Sequence, residues 1–171
     1  MTLRKRKSGK ATPAASALQR DIKQTRPFRS PGHEAMVDLA LTADVLKRRF
    51  AALVQPYGVT PQQYNVLRIL RGAEPKGLPT LDVANRMIEQ TPGITKLIDR
   101  LEERGWVTRV RCKEDRRQVH CRATGEGLAL LARLDHDVRV AEETWMGALS
   151  EAEQKTLIGM LDRLRAARTT D

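Results

Sequence analysis

Two cysteines and three histidines are the obvious places for chemistry in this 171-residue chain, and their spacing argues against it. Cys112 and Cys121 would make a disulfide or a thiolate pair only if they faced each other. Read as opposite arms of a hairpin turning at Lys113–Arg116, they are offset by four residues, about 13 Å at the rise of a strand. A disulfide needs Cα atoms within about 7 Å. Both therefore read as small buried apolar residues rather than redox or metal ligands. His120 falls on the hairpin face opposite Cys121, while His33 near a helix start and His136 between Asp135 and Asp137 read as surface residues. There is no Gly-x-Ser-x-Gly, no phosphate loop and no His-Glu-x-x-His. We expect no enzyme, no cofactor and no metal.

The other candidate chemistry is charge. Residues 1–29 hold nine Lys/Arg against Asp21, so +8 of the chain's +10 lies there and the remaining 142 residues carry +2. Within that body, 91–122 has nine Lys/Arg and five acids (+4), and 123–171 has six and nine (−3). A basic segment with an acidic neighbour points to one polyanion-facing surface.

The elements that would position that surface run from Thr80 to Ala123. Thr80 caps a short helix carrying Leu81, Ala84, Met87 and Ile88; Glu89 and Gln90 turn the chain. Thr91 caps the next helix, Pro92 takes its first position, and Gly105 stops it after Arg104. Ile94, Leu97, Ile98 and Leu101 form the buried stripe. The opposite face offers Thr91, Pro92, Gly93, Thr95, Lys96 and Arg100: short polar groups, a glycine that lets the backbone approach, and two cations. A major groove accepts such a helix. Past Gly105 the period changes to two. With the turn at Lys113–Arg116, Val110 faces Val119 and Thr108 faces Cys121, so Cys112, Val110, Val119 and Cys121 share an apolar face. Arg109, Arg111, Gln118, His120 and Arg122 share a basic one, as in a wing laid on phosphates.

The run Thr91-Pro-Gly-Ile-Thr-Lys-Leu-Ile-Asp-Arg-Leu-Glu-Glu-Arg-Gly-Trp-Val107, then Glu114-Asp-Arg-Arg117 and Ala123-Thr-Gly-Glu-Gly127, resembles the MarR family of winged-helix transcription regulators. The similarity extends from about His33 to Arg165. One departure is Ala123-Thr124, where the family has Leu-Thr. The resemblance implies a homodimer on double-stranded, pseudo-palindromic operators, acting as a repressor. It also implies that Asp115 steadies Arg117 in a minor groove, with Arg116 beside it on the DNA. Many members release DNA when a small aromatic ligand wedges between dimer helices and head; Met36, Tyr64 and Arg68 would line such a pocket. A winged-helix module used for protein contacts or non-specific nucleoid binding is the alternative.

The rest of the chain fits around this head. Forty per cent apolar but four per cent aromatic residues is a helical composition. The expected fold is mostly α: a winged helix-turn-helix head over 60–123 with a small β-hairpin wing. Dimerisation helices flank it at 30–57 and 124–168, all in one domain, 30–171, behind a disordered basic tail, 1–29. Ser30-Pro31 opens the first helix, Thr60-Pro-Gln-Gln63 and Ser150-Glu-Ala-Glu153 are capping boxes, and Thr124 caps the long helix after the wing. That helix carries Leu128, Leu131, Leu134, Val138, Trp145 and Leu149. The tail reads equally as an arm for DNA phosphates or as a solubilising segment. No apolar run approaches a membrane span and the basic N-terminus lacks a signal core, so the expected location is the cytoplasm without membrane contact.

Overall fold

Short polar caps and glycines punctuate this chain into helices where the sequence places them. The computed structural model describes residues 16–89, 93–111 and 119–167. Over these the chain runs α1 (Ala17–Asp21), α2 (Pro31–Val54), a 3-10 turn (Gln55–Tyr57), α3 (Pro61–Arg71), β1 (Leu78–Pro79), α4 (Thr80–Arg86), α5 (Ile94–Glu103), β2 (Val107–Arg111), β3 (Val119–Ala123), α6 (Gly125–Met146) and α7 (Glu151–Ala166). The His33 N–H donates to Ser30 Oγ at 3.1 Å, the expected cap of α2. Both expected capping boxes are formed, Thr60 with Gln63 and Ser150 with Glu153, and Thr124 Oγ1 accepts the Gly127 N–H.

The chain divides into two compact units, Met1–Arg48 and Arg49–Asp171, with the boundary inside α2. In the first unit the expected disordered tail is described only from Ser16, and there it is ordered. Ser16 and Gln19 cap α1 reciprocally and Leu18 is buried, which composition averaged over 1–29 conceals.

The core of the second unit gathers Val54, Val66, Leu67, Leu70, Val83, Ile98, Leu101, Leu131 and Leu134, all without exposure. Two helical stripes differ from expectation. In α4 the buried residue is Val83, while Leu81 and Ile88 are 71% and 86% exposed, because the helix ends at Arg86 and Met87 is already extended. In α6 the stripe includes Leu130 and Ala141 and Trp145 is only half-buried; Leu149, expected on the same helix, lies beyond its end at Met146 and is also half-buried. Thr80, expected as the cap of α4, is its first helical residue behind Pro79; its hydroxyl sits 3.5 Å from Cys121 Sγ.

The sheet is antiparallel with order β1-β3-β2, so β3 is central. The third strand, β1, adds to the two-stranded hairpin that was expected. Gly77, at φ +71, lets it in: a Cβ there would lie 2.5 Å from the Cys121 carbonyl oxygen. The hairpin register pairs Arg109 with Cys121, Val110 with His120 and Arg111 with Val119. This is one residue from the expected register, and in a strand such a slip moves every side chain to the other face. The inward face is Val107, Cys121 and Ala123, with Leu78 opposite Cys121 on β1. Val110 and Val119 are 41% and 43% exposed rather than joined with Cys121 on an apolar face. Cys121 is a free, buried thiol; Cys112 lies outside the described residues.

Candidate nucleic-acid interface

The amphipathic run of α5 separates two tasks. Leu97, Ile98 and Leu101 are buried and Ile94 packs against the same core, while Thr95, Lys96 and Arg100 are exposed on the outer face. Lys96 and Arg100 are four apart and therefore neighbours on that face. Among the described residues neither has an acidic partner. The helix starts at Ile94, with Gly93 as its N-cap at φ 88, rather than at Pro92 as its sequence suggested. A Cβ at Gly93 would meet nothing within 4 Å, so glycine is needed there for conformation, and the space above it is open. At the far end the Gly105 N–H donates to Glu102 O at 2.8 Å and the Trp106 N–H to Leu101 O at 2.9 Å, with Gly105 at φ 69. This pair of bonds is a Schellman stop.

What aims α5 is a set of polar ties. The Asn65 side-chain oxygen accepts the Ile88 N–H at 3.0 Å, fastening the turn between α4 and α5 to α3. Arg104 donates to the Gly58 carbonyl at 2.5 Å and lies over the Trp106 ring at 5.0 Å. Thr124 Oγ1 donates to the Gly105 carbonyl at 2.6 Å, and a Cβ on Gly127 would collide with the Trp106 carbonyl oxygen, so α6 starts tight against the α5–β2 turn.

Arg109 was placed by the expected register on the basic outer face, and the structure puts it inward. Its guanidinium bonds Asp99 at 2.5 Å and Glu102, and its backbone N–H donates to Glu102 at 3.2 Å. Partial burial pulls its pKa down, but the bonds to Asp99 and Glu102 together outweigh that and hold it above the ordinary arginine value. The consequence is electrostatic as well as mechanical. One positive charge is shared between two of the three acids of α5, so part of the carboxylate charge that would repel phosphate beside the outer cations is offset. The missed signal lay in the spacing: Asp99 and Glu102 share one helix face, which requires a cation opposite.

Of the residues expected on DNA, Gly93, Thr95, Lys96 and Arg100 come together on one exposed surface of α5. Thr91, Pro92, Arg116, Arg117 and the supporting Asp115 lie outside the described residues. Of the expected pocket residues, Tyr64 is buried beside the Phe50 ring, centroids 5.1 Å apart, and Arg68 donates to its hydroxyl at 3.0 Å. Met36 belongs to the Met1–Arg48 unit and is 73% exposed. Among the described residues no helix is long and apolar enough to cross a membrane, and no cluster of His, Cys, Asp and Glu could hold a metal.

Comparison with known proteins points the same way. A family model described as MarR family matches residues 59–119. A protein named for transcriptional regulation of the hcr operon in Thauera aromatica is 35% identical over 118 residues, 68% of this chain and 70% of that one. The crystal structure of a MarR transcription factor from Planctomyces limnophilus is 39% identical and superposes with a TM-score of 0.60, over 80% of this chain and 98% of that one. NadR solved with 4-hydroxyphenylacetate is 25% identical, with a TM-score of 0.65, over 84% and 100%.

Proposed function

Because the chain belongs to the MarR family of transcription regulators, we propose that it is a repressor that binds pseudo-palindromic double-stranded operators as a homodimer. It is a DNA-binding regulator and not an enzyme. The observation that carries the finer reading is α5: a helix pinned on its inner face by three buried apolar residues presents outward Thr95 and two cations that have no acidic partner among the described residues. Such a helix can enter a major groove with its side chains at base edges, while Arg116 and Arg117 of the wing reach phosphate and the minor groove. Dimerisation is supported by α7, which buries no residue and leaves Ile158, Met160 and Leu164 48–63% exposed. Apolar area of that kind on a helix is covered by a partner. A dimer seated on a promoter excludes other proteins from it, which is the physical basis of repression.

For the effector we propose a small aromatic anion, with Arg68 as its counter-charge and Tyr64 as an apolar contact. Support comes from the Tyr64–Arg68 pairing and from the aromatic acid held by NadR. The deciding experiment measures binding to one pseudo-palindromic promoter fragment against scrambled competitor. A regulator shows a preference of roughly 10³-fold or more, lowered by addition of hydroxylated aromatic acids. Equal affinity for both DNAs would make the protein a non-specific coat instead.

A further inference from the structure

The first unit contains a feature that the DNA reading leaves unused. Between α1 and α2 the chain turns around an open hollow of about 520 Å³ lined by Lys23, Gln24, Thr25, Arg26, Arg29 and His33, with Ile22 and Pro27. We propose that this turn is a phosphate-binding site.

Three observations carry the assignment. The first is preorganisation. The Gln19 and Gln24 side-chain amides both donate to the Arg26 carbonyl, at 3.2 and 2.9 Å, and the Gln24 N–H donates to Gln19 O at 2.9 Å. On the other side the Phe28 ring meets His33 edge to face, with centroids 5.4 Å apart. The turn is thus fastened at both ends. The second is backbone strain. Lys23 sits at φ 55, a region that side-chain-bearing residues seldom adopt, and it is held there by its N–H bond to Arg20 O at 3.2 Å. The third is charge. Lys23, Arg26 and Arg29 have no acidic partner among the described residues, and the two acids within 16–34, Asp21 and Glu34, do not line the hollow.

Lys23, Arg26 and Arg29 are exposed around one hollow and meet no acid among the described residues, so an anion entering the hollow would be attracted by three like charges at once. A carboxylate supplies one negative charge, whereas a phosphate monoester supplies about 1.5–2 at neutral pH and has tetrahedral oxygens that suit several donors at once. Arginine forks match phosphate oxygens in pairs, and Thr25 and Gln24 add neutral hydrogen-bonding groups. The phosphate can belong to a free phosphorylated compound or to the backbone of DNA flanking the operator; the chemistry of the hollow is the same.

The test titrates the full chain with inorganic phosphate against chloride at constant ionic strength, following the backbone amide signals of Lys23, Thr25 and Arg29. Saturable shifts confined to 22–33 are expected. They should weaken roughly tenfold or more in Lys23→Asn/Arg26→Gln/Arg29→Gln, in which asparagine tolerates the backbone of position 23. An equal charge removed from Lys5, Arg6 and Lys7 should leave them unchanged, and Arg26→Lys/Arg29→Lys, which keeps the charge but loses the fork, should weaken binding by less than the triple variant does. Wild-type melting of the triple variant confirms that its fold is kept. A second titration with promoter DNA identifies the source. Loss of affinity with a salt slope smaller by about 2–3 means DNA phosphate, and unchanged DNA binding means a free phosphate compound. Shifts that do not saturate, that spread over the whole chain, or that persist in the triple variant would overturn the site. Because the phosphate titration involves no operator, a failure of the repressor reading leaves this result readable.

Discussion

Helices α5 and α7 have the same design and opposite fates. Each carries apolar residues at helical spacing, yet in α5 three apolar side chains vanish into the core, whereas α7, with 16 residues, buries none. The difference lies in what the chain itself supplies opposite each stripe. For α5 it supplies α3, α4 and the sheet, so the helix is finished within one subunit and its outer face is free for recognition. For α7 no cover of that kind is present among the described residues, and the stripe remains available to a second copy. A recognition element has to be rigid before DNA arrives; an assembly element has to stay incomplete until its partner does.

The largest effect expected from breaking this contrast is in α5. Leu101→Ala removes a side chain with no exposure and should cost about 2–5 kcal/mol of unfolding free energy in urea titrations. The counterpart in α7, Leu161→Asp, should leave subunit stability little changed but bring the native mass from two chains to one, since it puts a charge into the proposed apolar seam. A single-chain mass for the wild type at micromolar concentration would refute the dimer.

Next in size are the DNA contacts. Lys96→Ala and Thr95→Ala should each cost about 1–3 kcal/mol on preferred operators and reorder preference among operator variants. Identical losses on all sequences would mean phosphate contact only. In the wing, Arg117→Ala should weaken binding strongly and Asp115→Ala should cost part of the same affinity. The double variant should be scarcely worse than Arg117→Ala, because the pair acts as a unit. Tighter binding by Asp115→Ala would end the buttress reading.

Smaller still is Arg109→Met. Its half-exposed ion pairs are worth about 1 kcal/mol or less each. It should lower the melting temperature slightly and reduce DNA affinity more than its stability loss explains, by unmasking Asp99 and Glu102 next to Lys96 and Arg100. Adding Asp99→Asn should restore part of that affinity. The smallest effect concerns the start of α7, where bonds from the Ser150 hydroxyl and N–H, at 2.7 and 2.8 Å, hold the Glu153 carboxyl below its ordinary value. A depressed carboxylate stabilises fully above its unfolded pKa and loses this as pH falls through the folded one. Amide signals of Ser150 and Glu153 should therefore report the cap opening only on the acid side of the ordinary glutamate range, and Glu153→Gln should remove that pH dependence.

Much of the outer face of the interface could be read in advance. Thr95, Lys96 and Arg100 stand where the 3.6-residue period of α5 puts them, because Leu97, Ile98 and Leu101 leave only one face to bury. Arg109 could not be read that way. Its side of the hairpin depends on register, and register depends on partners remote in sequence: Leu78 of β1, opposite Cys121, and Asp99 and Glu102 of α5. Shifting the hairpin by one residue exchanged Arg109 for Val110 on the inner face. The same holds for α1, whose order rests on a capping box and one buried leucine within a segment dominated by charge.

By itself, then, the sequence determined what is local: the helix caps at Ser30, Thr60, Thr124 and Ser150, the Gly105 stop, and the polar face of α5. These depend on hydrogen bonds and side-chain spacing within a few residues, and no distant contact overrides them. Only the tertiary structure decided the strand register, the third strand at Leu78–Pro79 and the inward turn of Arg109. Strands carry no internal hydrogen bonds, so their pairing and their facing are chosen by whatever the rest of the chain places beside them.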